Sequence, residues 1–347
     1  MRGGALLSSL LAVARRTAVA CVLAVASGAA ATPGPLGQTS ETPPTEAEIL
    51  ASIVTVGVRT VANARTARDQ GAERQGTGVL VEPGGHILTS AFLVQEADSI
   101  VVTTADARTV RAALAASDET TGVAILRPET GLGIRPLPLG KSATLGVPAP
   151  VTIASAANGR RIAMASVVAK REFAGHWEYL VDDGLFTAPP IPDWAGAALV
   201  DGTGRLIGIG ALLLADVKPG AATPTPGNLF VPVERFQPAL ARLAAGDDTP
   251  FARRPWLGLV LSKTDGPLVI AEVPPGSPAE RAGLRVGDIV AAVNGDEVAT
   301  RAELYRSIWR ERPGSDVVLT IRRDGAAREV RLRAIDPRDY LIHRASR

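Results

Sequence analysis

The sequence has few Cys, His and aromatic residues, and its basic and acidic residues nearly balance. Its 347 residues include 1 Cys and 3 His, which excludes an intramolecular disulfide and disfavours a zinc site built from several Cys or His ligands. Aromatic residues make up 4%, so Ala, Val, Leu and Ile must form the cores. The formal net charge of +2 disfavours a general nucleic-acid binder. We therefore predict no metal, no cofactor and no nucleic-acid partner.

The amino terminus is apolar and is typical of an export signal. Arg15 and Arg16 precede an alanine-rich, apolar stretch over residues 17–31. A basic pair followed by such a run, ending in small residues, is typical of a secretory signal. The run is short for a membrane span, which needs about 20 apolar residues, but an uncleaved anchor that tethers the chain to a membrane stays an alternative. We predict an exported protein of the periplasm, the cell envelope or the extracellular space, and Cys21 would be lost with a cleaved signal.

Composition and hydrophobic spacing divide the rest of the chain. A Pro/Thr-rich stretch follows the signal, and then many short apolar runs alternate with Gly, Pro and Asp turns, which is typical of a β-barrel or sandwich. A second unit of strands and two short helices comes last, and Thr300 with Glu303 predicts a capping box at the start of its second helix. The predicted divisions are signal or anchor 1–31, linker 32–45, β-rich domain 46–245, hinge 246–253, small α/β domain 254–336 and tail 337–347.

Several segments of the sequence resemble the HtrA (DegP-like) proteases. In order along the chain these are GTGVLVEPGGHILTSAFLV, TGVAILR, LPLGKSATLGVPAPV, AGAALVDGTGRLIGI and GNLFVPVERF. The later segments WLGLV and VPPGSPAERAGLRVGDIVAAVNGDEV are similar to the PDZ domain that follows the protease in that family. The resemblance implies a mainly β fold, in which a trypsin-like double β-barrel with six antiparallel strands in each barrel precedes a small α/β PDZ domain.

The resemblance also implies a catalytic Ser, His and Asp, in which the His takes the proton of the Ser and the Asp orients the His. The aligned positions hold Phe92 for His, Gly122 for Asp and Ala195 for Ser. These side chains cannot accept a proton, supply a carboxylate or attack a carbonyl. Asp193 stands where the family has a Gly beside the oxyanion, and a carboxylate there would repel developing negative charge. We therefore predict a degenerate protease homologue that is not an enzyme.

An active serine endopeptidase with a relocated site remains the alternative. We predict that the other His residues and the Asp182–Asp183 pair have structural rather than catalytic roles. We interpret His86 as a surface residue of a glycine turn, His176 as part of an exposed aromatic hairpin, and His343 as a tail residue. Asp182 and Asp183 are adjacent, so a strand would direct them to opposite sides, and we predict that they lie in a solvated turn instead.

The PDZ-like unit keeps the features that peptide binding needs. In the family a peptide carboxy terminus adds as a strand, and backbone amides of an apolar-Gly-apolar loop hold its carboxylate. For Leu304 and Ile308, core packing is an equal alternative to a role in the groove, and the whole unit could also bind internally or only pack. The resemblance assigns carboxylate binding to the loop of Trp256, Leu257, Gly258 and Leu259. We add Arg254, whose charge complements a carboxylate, and Leu304 and Ile308 on the helix that would form the other wall of the groove.

From these features we predict an exported, non-catalytic HtrA-like pseudoprotease that regulates or scaffolds protein quality control. Its predicted partners are peptide or protein carboxy termini, with an active HtrA-like relative or a second copy in a homo-oligomer as further partners. A structural, envelope-tethered element that works through its linker and basic carboxy-terminal hairpin is a further alternative.

Overall fold

The computed structural model of the protein describes residues 43–264 and 266–342, and the described chain begins with a capped helix. The Glu48 amide donates to Thr45 Oγ1 at 3.3 Å, and the Thr45 amide donates back to Glu48 Oε2 at 2.8 Å, which satisfies two amides that lack helical partners. The first elements in chain order are α1 (Glu46–Ser52), β1 (Ile53–Thr60), α2 (Ala67–Gln70), β2 (Glu73–Leu80), β3 (Ile87–Ser90), α3 (Ala91–Val94), β4 (Ala97–Thr103), β5 (Thr109–Asp118) and β6 (Val123–Pro128).

The strands β1 to β6 close into a barrel in the order β1-β2-β3-β6-β5-β4. Strand β1 shows why the sequence folds this way, because its Val side chains recur at every second position and all enter the barrel. Val54, Val56 and Val58 pack there with Ile87 and Leu126, each at most 4% exposed. Closure leaves this sheet without a free edge.

Six further strands close into a second barrel in the order β10-β11-β12-β9-β8-β7. A core of buried residues runs from β3 and β6 of the first barrel into this barrel and to the helix after it. The elements are a 3₁₀ turn (Ser142–Thr144), β7 (Ala149–Ser155), β8 (Arg161–Ala174), β9 (Leu180–Ala188), β10 (Ala198–Val200), β11 (Leu206–Leu214), β12 (Gly227–Pro232), a second 3₁₀ turn (Val233–Arg235) and α4 (Gln237–Ala244).

The last part of the chain forms a small sheet with short helices. Five strands follow the order β13-β14-β15-β17-β18, and β16 pairs with β15. Thr300 and Glu303 form the predicted capping box at the start of α6. The elements are β13 (Val260–Leu261), β14 (Leu268–Glu272), α5 (Pro278–Arg281), β15 (Ile289–Val293), β16 (Asp296–Glu297), α6 (Arg301–Ile308), β17 (Asp316–Arg323), β18 (Ala326–Arg333) and α7 (Pro337–Tyr340).

The structure confirms the predicted fold class, because two six-stranded barrels precede a small mixed unit.

The interpretation of His86 as a surface residue is wrong: its side chain is buried, and its Nδ1 pairs with the Glu82 carboxylate. Gly84 in the turn before it is exposed, but Gly85 is already half-buried and β3 begins directly after His86. The predictions for residues 1–31, Cys21 and His343 lie outside the described residues, and the division into domains stays a prediction. No helix within residues 43–264 and 266–342 is both long and apolar enough to cross a membrane.

The loop before β10 passes between the two barrels and depends on one glycine. The Thr77 amide of β2 donates to Ala195 O at 2.9 Å, and the Gly196 amide donates to Gly210 O of β11 at 2.9 Å. Gly196 has φ of +73°. A Cβ at this position would collide with Thr77 O and lie 2.6 Å from Thr89 Oγ1. Only glycine therefore fits both the backbone conformation and the space.

We expect Gly196→Ala to lower the free energy of unfolding by about 3 kcal/mol, since it combines a left-handed backbone with a steric collision. The measurement is urea unfolding followed by circular dichroism. Gly202→Ala is the matched control, because a Cβ at position 202 meets nothing within 4 Å. Equal stability of the two variants would contradict this account of the loop.

Candidate functional site

The structure brings the three segments that carry the aligned catalytic positions to the seam between the barrels. Phe92 lies on α3, and the amide of its neighbour Ala91 donates to Gly122 O at 3.0 Å. The Phe92 ring meets the edge of Trp194, which precedes Ala195, with ring centroids 6.3 Å apart. The assignment of these positions to a catalytic triad stays a prediction.

An aromatic cluster surrounds Phe92 and reaches Gly122. The ring centroid of Trp177 lies 6.0 Å from that of Phe92 and 5.3 Å from that of Tyr179. Gly122 has φ of +76°, and a Cβ on it would lie 2.9 Å from Tyr179 Oη. Tyr179 thus fills the space that a side chain at position 122 would need.

Tyr179 is itself an unusual buried polar residue. Its side chain is 0% exposed, and within the described residues its hydroxyl has no hydrogen-bond partner. Burial, helped by the negative charge of Asp118, raises the pKa of Tyr179, so the phenol stays protonated at any physiological pH. The hydroxyl is therefore a neutral donor.

Asp193 is held by the second barrel. Its Oδ1 accepts from Asn158 Nδ2 at 2.6 Å, and its Oδ2 lies 3.9 Å from the Arg161 guanidinium. These partners hold the carboxylate toward residues 158–161, so its negative charge is partly compensated. The placement of Asp193 at an oxyanion position stays a prediction.

Residues 175–179 connect β8 to β9 and dock against the last unit of the chain, and we name this segment the docked turn. The Gly175 amide donates to Tyr179 O at 2.8 Å and closes the turn. The Leu261 amide of β13 donates to His176 O at 2.6 Å, and Trp177 pairs with Val260 as an antiparallel bridge. The docked turn is thus attached to β13 by main-chain pairing. The interpretation of His176 as part of an exposed hairpin is wrong, because the turn packs against a second unit.

Glu178, at the centre of the docked turn, reaches the loop that the sequence assigned to carboxylate binding. Its Oε1 accepts from the amides of Leu257 at 3.0 Å, Gly258 at 2.8 Å and Leu259 at 3.3 Å. Its side chain is buried, with the residue 4% exposed. The burial raises the pKa of Glu178 from its ordinary 4.5 to about 7, although the three amides act in the opposite direction. Three consecutive amides of the predicted loop therefore do converge on one carboxylate.

The other predicted peptide-binding residues have different environments. Trp256 pairs with Ile335, and its ring contacts the tilted ring of Tyr340, whose centroid is 4.6 Å away. The Arg254 guanidinium lies 4.2 Å above the Trp309 ring. Leu304 and Ile308 are both 0% exposed and belong to the core of the last unit. Their role in peptide binding stays a prediction.

The prediction of a solvated turn at Asp182 and Asp183 is wrong, since both lie within β9. The Asp182 carboxylate pairs with Arg235 and also accepts from Arg306 of α6 at 2.8 Å. Arg306 pairs with Glu172 of β8 as well. An ion-pair network of two carboxylates, Asp182 and Glu172, with two Arg side chains therefore takes the place of the solvated turn. The Arg side chains supply the compensation that water was expected to give.

Sequence reasoning missed Glu178. The signal was present, because one acidic residue lies between two large aromatic residues in HWEY, and alternation sends Glu178 to the side opposite Trp177 and Tyr179.

A cavity of about 410 Å³ and another of about 540 Å³ are found in the described chain, and the larger lies beside the docked turn. Its lining includes Phe92, Gly122, His176, Glu178, Trp256 and Tyr340. Among the described residues no cluster of three His, Cys, Asp or Glu side chains could hold a metal ion.

Comparisons with known proteins agree with this architecture. A trypsin-like peptidase domain matches residues 76–209, and a PDZ domain matches residues 255–333. A putative serine protease HhoA of Synechocystis sp. is 29% identical over 274 residues, which are 70% of this chain and 65% of the relative. The chain is an HtrA/DegP homologue. The predicted family is thereby confirmed.

Further relatives and solved structures extend the match. The serine endoprotease DegS of Haemophilus influenzae is 26% identical over 72% of this chain and 74% of its own length. A serine endoprotease from Yersinia pestis matches with a TM-score of 0.52 and 22% identity over 85% of this chain and 99% of that chain. An HtrA-type protease AlgW with tripeptide matches with a TM-score of 0.50 and 23% identity, over 84% of this chain and 97% of that chain. These structures support the fold.

The relatives contradict the prediction that this HtrA/DegP homologue is not an enzyme. HhoA is named a putative serine protease, and the DegP-like and DegS relatives are named serine endoproteases, which points to protease activity. The prediction rested on three aligned positions, whereas the similarity runs through both the peptidase and the PDZ regions. The chain spans 65% of the HhoA relative and 57% of the DegP-like relative of Hahella chejuensis, so it is shorter than both.

The pKa of Glu178 makes stability depend on pH. Because the pKa is raised in the folded chain, the folded chain binds this proton more tightly than the unfolded chain does. The stabilisation is therefore complete below about pH 4.5 and is lost as the pH rises through about 7, with a total change of roughly 3 kcal/mol. We expect Glu178→Gln to remove this part of the pH dependence of urea unfolding between mildly acidic and mildly alkaline buffer. Identical pH profiles for the two proteins would contradict the burial argument.

Proposed function

We propose that this HtrA/DegP homologue binds polypeptides through their free carboxy termini, at the loop of residues 256–259 and along the edge of β13. One observation carries the proposal: the amides of Leu257, Gly258 and Leu259 converge on a single carboxylate oxygen. A peptide's terminal carboxylate presents the same two oxygens to such a loop. The interaction needs no particular side chain, because backbone N–H groups supply the donors.

The backbone of the loop supports this proposal. Gly258 has φ of +81°, and a Cβ on it would lie 2.9 Å from Ser277 Oγ and closer still to Ser277 Cβ. Glycine therefore permits the conformation that turns its amide toward the anion. Leu257 and Leu259 are at most 1% exposed and pack into the core, which fixes the loop. A prearranged set of donors loses little entropy when it binds a carboxylate.

The edge of β13 supplies the second part of the proposed site. Its Leu261 amide points to the docked turn and donates to a carbonyl there, and the other side of β13 pairs with β14. An extended peptide would add to this edge as an antiparallel strand, with main-chain hydrogen bonds providing affinity. A solved relative, the HtrA-type protease AlgW, is described with a bound tripeptide or decapeptide, which supports peptides as the ligand class.

The proposed setting is outside the cytoplasm. The basic pair and apolar stretch before residue 32 favour export. Several relatives of about 25–28% identity are named probable periplasmic serine endoproteases. An active HtrA-like relative and a second copy of this chain are the proposed larger partners.

The names of the relatives favour a second candidate function, serine-type endopeptidase activity. The side chains of Phe92, Gly122 and Ala195 cannot form the hydroxyl, imidazole and carboxylate set, so this candidate places the nucleophile elsewhere in the chain. The test is incubation of the mature protein with unfolded casein, with and without a serine-directed phosphonate. Under this candidate, cleavage stops with the phosphonate, and mass spectrometry locates the adduct on a hydroxyl residue. Intact casein after prolonged incubation would contradict it.

The proposed peptide binding is tested with two peptides of one sequence that ends in an apolar residue, one with a free carboxylate and one amidated. We expect the free acid to bind the mature chain about tenfold more tightly or better, because charge-assisted hydrogen bonds to the loop amides are lost in the amide. Fluorescence polarisation measures both affinities. The same affinity for both peptides would contradict the proposal.

A further inference from the structure

Among the cavities, charged clusters and buried polar groups of the described chain, the docked turn is the feature with the strongest consequences. We infer that residues 175–179 are an internal ligand of the PDZ unit, with the Glu178 carboxylate in the position of a peptide's terminal carboxylate, so that the turn and an external peptide compete for the same groove. This inference rests on the proposed peptide binding and adds its regulation.

The docked turn makes both kinds of contact that a bound peptide makes. Its main chain pairs antiparallel with β13 through Trp177 and Val260, and His176 O accepts from the Leu261 amide at 2.6 Å. Its carboxylate accepts from the loop amides at 2.8–3.3 Å. Each amide has one hydrogen to donate, so a peptide cannot use these donors while the turn holds them.

Further contacts anchor the docked turn to the PDZ unit from both ends. Gly175 O accepts from Tyr305 Oη of α6 at 2.9 Å, and this bond is buried. Leu180, the first residue of β9, is part of the core of the PDZ unit, and Ala174 packs against that core. Because these contacts are intramolecular, the turn competes at a high effective concentration. An external peptide therefore binds the intact chain more weakly than it would bind an empty groove.

The same contact contains a weak point that permits exchange. Glu178 is buried, yet among residues 43–264 and 266–342 it makes no ion pair, and its partners are backbone amides alone. A carboxylate removed from water without a cation keeps a substantial desolvation cost. A peptide that brings its own carboxylate replaces these hydrogen bonds and lets Glu178 return to water. The exchange thus conserves the hydrogen bonds of the loop.

The decisive variant is Glu178→Ala, which removes the internal carboxylate and leaves the loop of residues 256–259 intact. We expect the free-acid peptide to bind this variant about tenfold more tightly than the wild type, because the variant lacks the charge-assisted hydrogen bonds that compete with it. Glu297→Ala is the matched control, since Glu297 is an exposed carboxylate on β16 of the same unit. It should bind the peptide as the wild type does.

The outcomes separate this inference from the proposed function. Equal affinity of the wild type and Glu178→Ala, with the free acid still preferred over the amide, would overturn the internal ligand and leave peptide binding standing. No preference for the free acid in any of the three proteins would overturn the proposed function and the inference with it.

Hydrogen exchange on the unmodified chain gives a second measurement that does not depend on the folding of a variant. Saturating free-acid peptide should lower the protection of the Gly175 amide, which donates to Tyr179 O and closes the turn, while the Leu261 amide, which changes partner, stays protected. The amidated peptide should have a much smaller effect at the same concentration. Unchanged protection of residues 175–179 at saturation would overturn the inference.

Discussion

The hydrogen bonds between the Glu178 carboxylate and three consecutive amides of residues 257–259 connect the second barrel to the PDZ unit. The contact joins residues about 80 positions apart in the chain, so neither segment can form it alone. Amide donors favour the ionised carboxylate and burial disfavours it, and burial has the larger effect because the pKa of Glu178 is raised. This one carboxylate therefore links the docked turn, which lies beside the seam and pairs with β13, to the loop of residues 257–259.

Side chains of the docked turn alternate in direction, as on a β-strand, so the turn contacts two different parts of the protein. Trp177 and Tyr179 belong to the aromatic cluster with Phe92, while Glu178 between them enters the PDZ loop. Successive side chains on an extended backbone point in opposite directions. A movement of Glu178 would therefore also move the neighbouring rings of Trp177 and Tyr179. The groove and the seam are therefore coupled through a single peptide segment, in addition to the ion pairs of Arg306.

Local sequence patterns predicted the elements that local interactions determine. The capping box at Thr300 and the strand over residues 289–293 follow from short-range geometry, and the structure contains both. The loop around Gly258 was instead predicted from the resemblance to the family. The environment of His86 depended on a local partner, Glu82, four residues before it. The environment of Asp182 depended on Arg235 and Arg306, which are distant in the sequence. Sequence periodicity carries no information about such distant partners.

The docked turn also explains why single positions were a poor guide to the seam. The alignment predicts only that Gly122 lacks a carboxylate. The structure shows in addition that Gly122 has a positive φ and that the ring of Tyr179 fills the space of a side chain there. Tyr179 is held in place because Glu178 binds the PDZ loop and because the amide of the next residue, Leu180, donates to Thr120 O at 2.8 Å. Replacement of the internal carboxylate by a peptide would remove the first of these restraints and retain the second. The side-chain environment of the seam consequently depends on the contact between Glu178 and the loop of residues 257–259 as well as on the barrels.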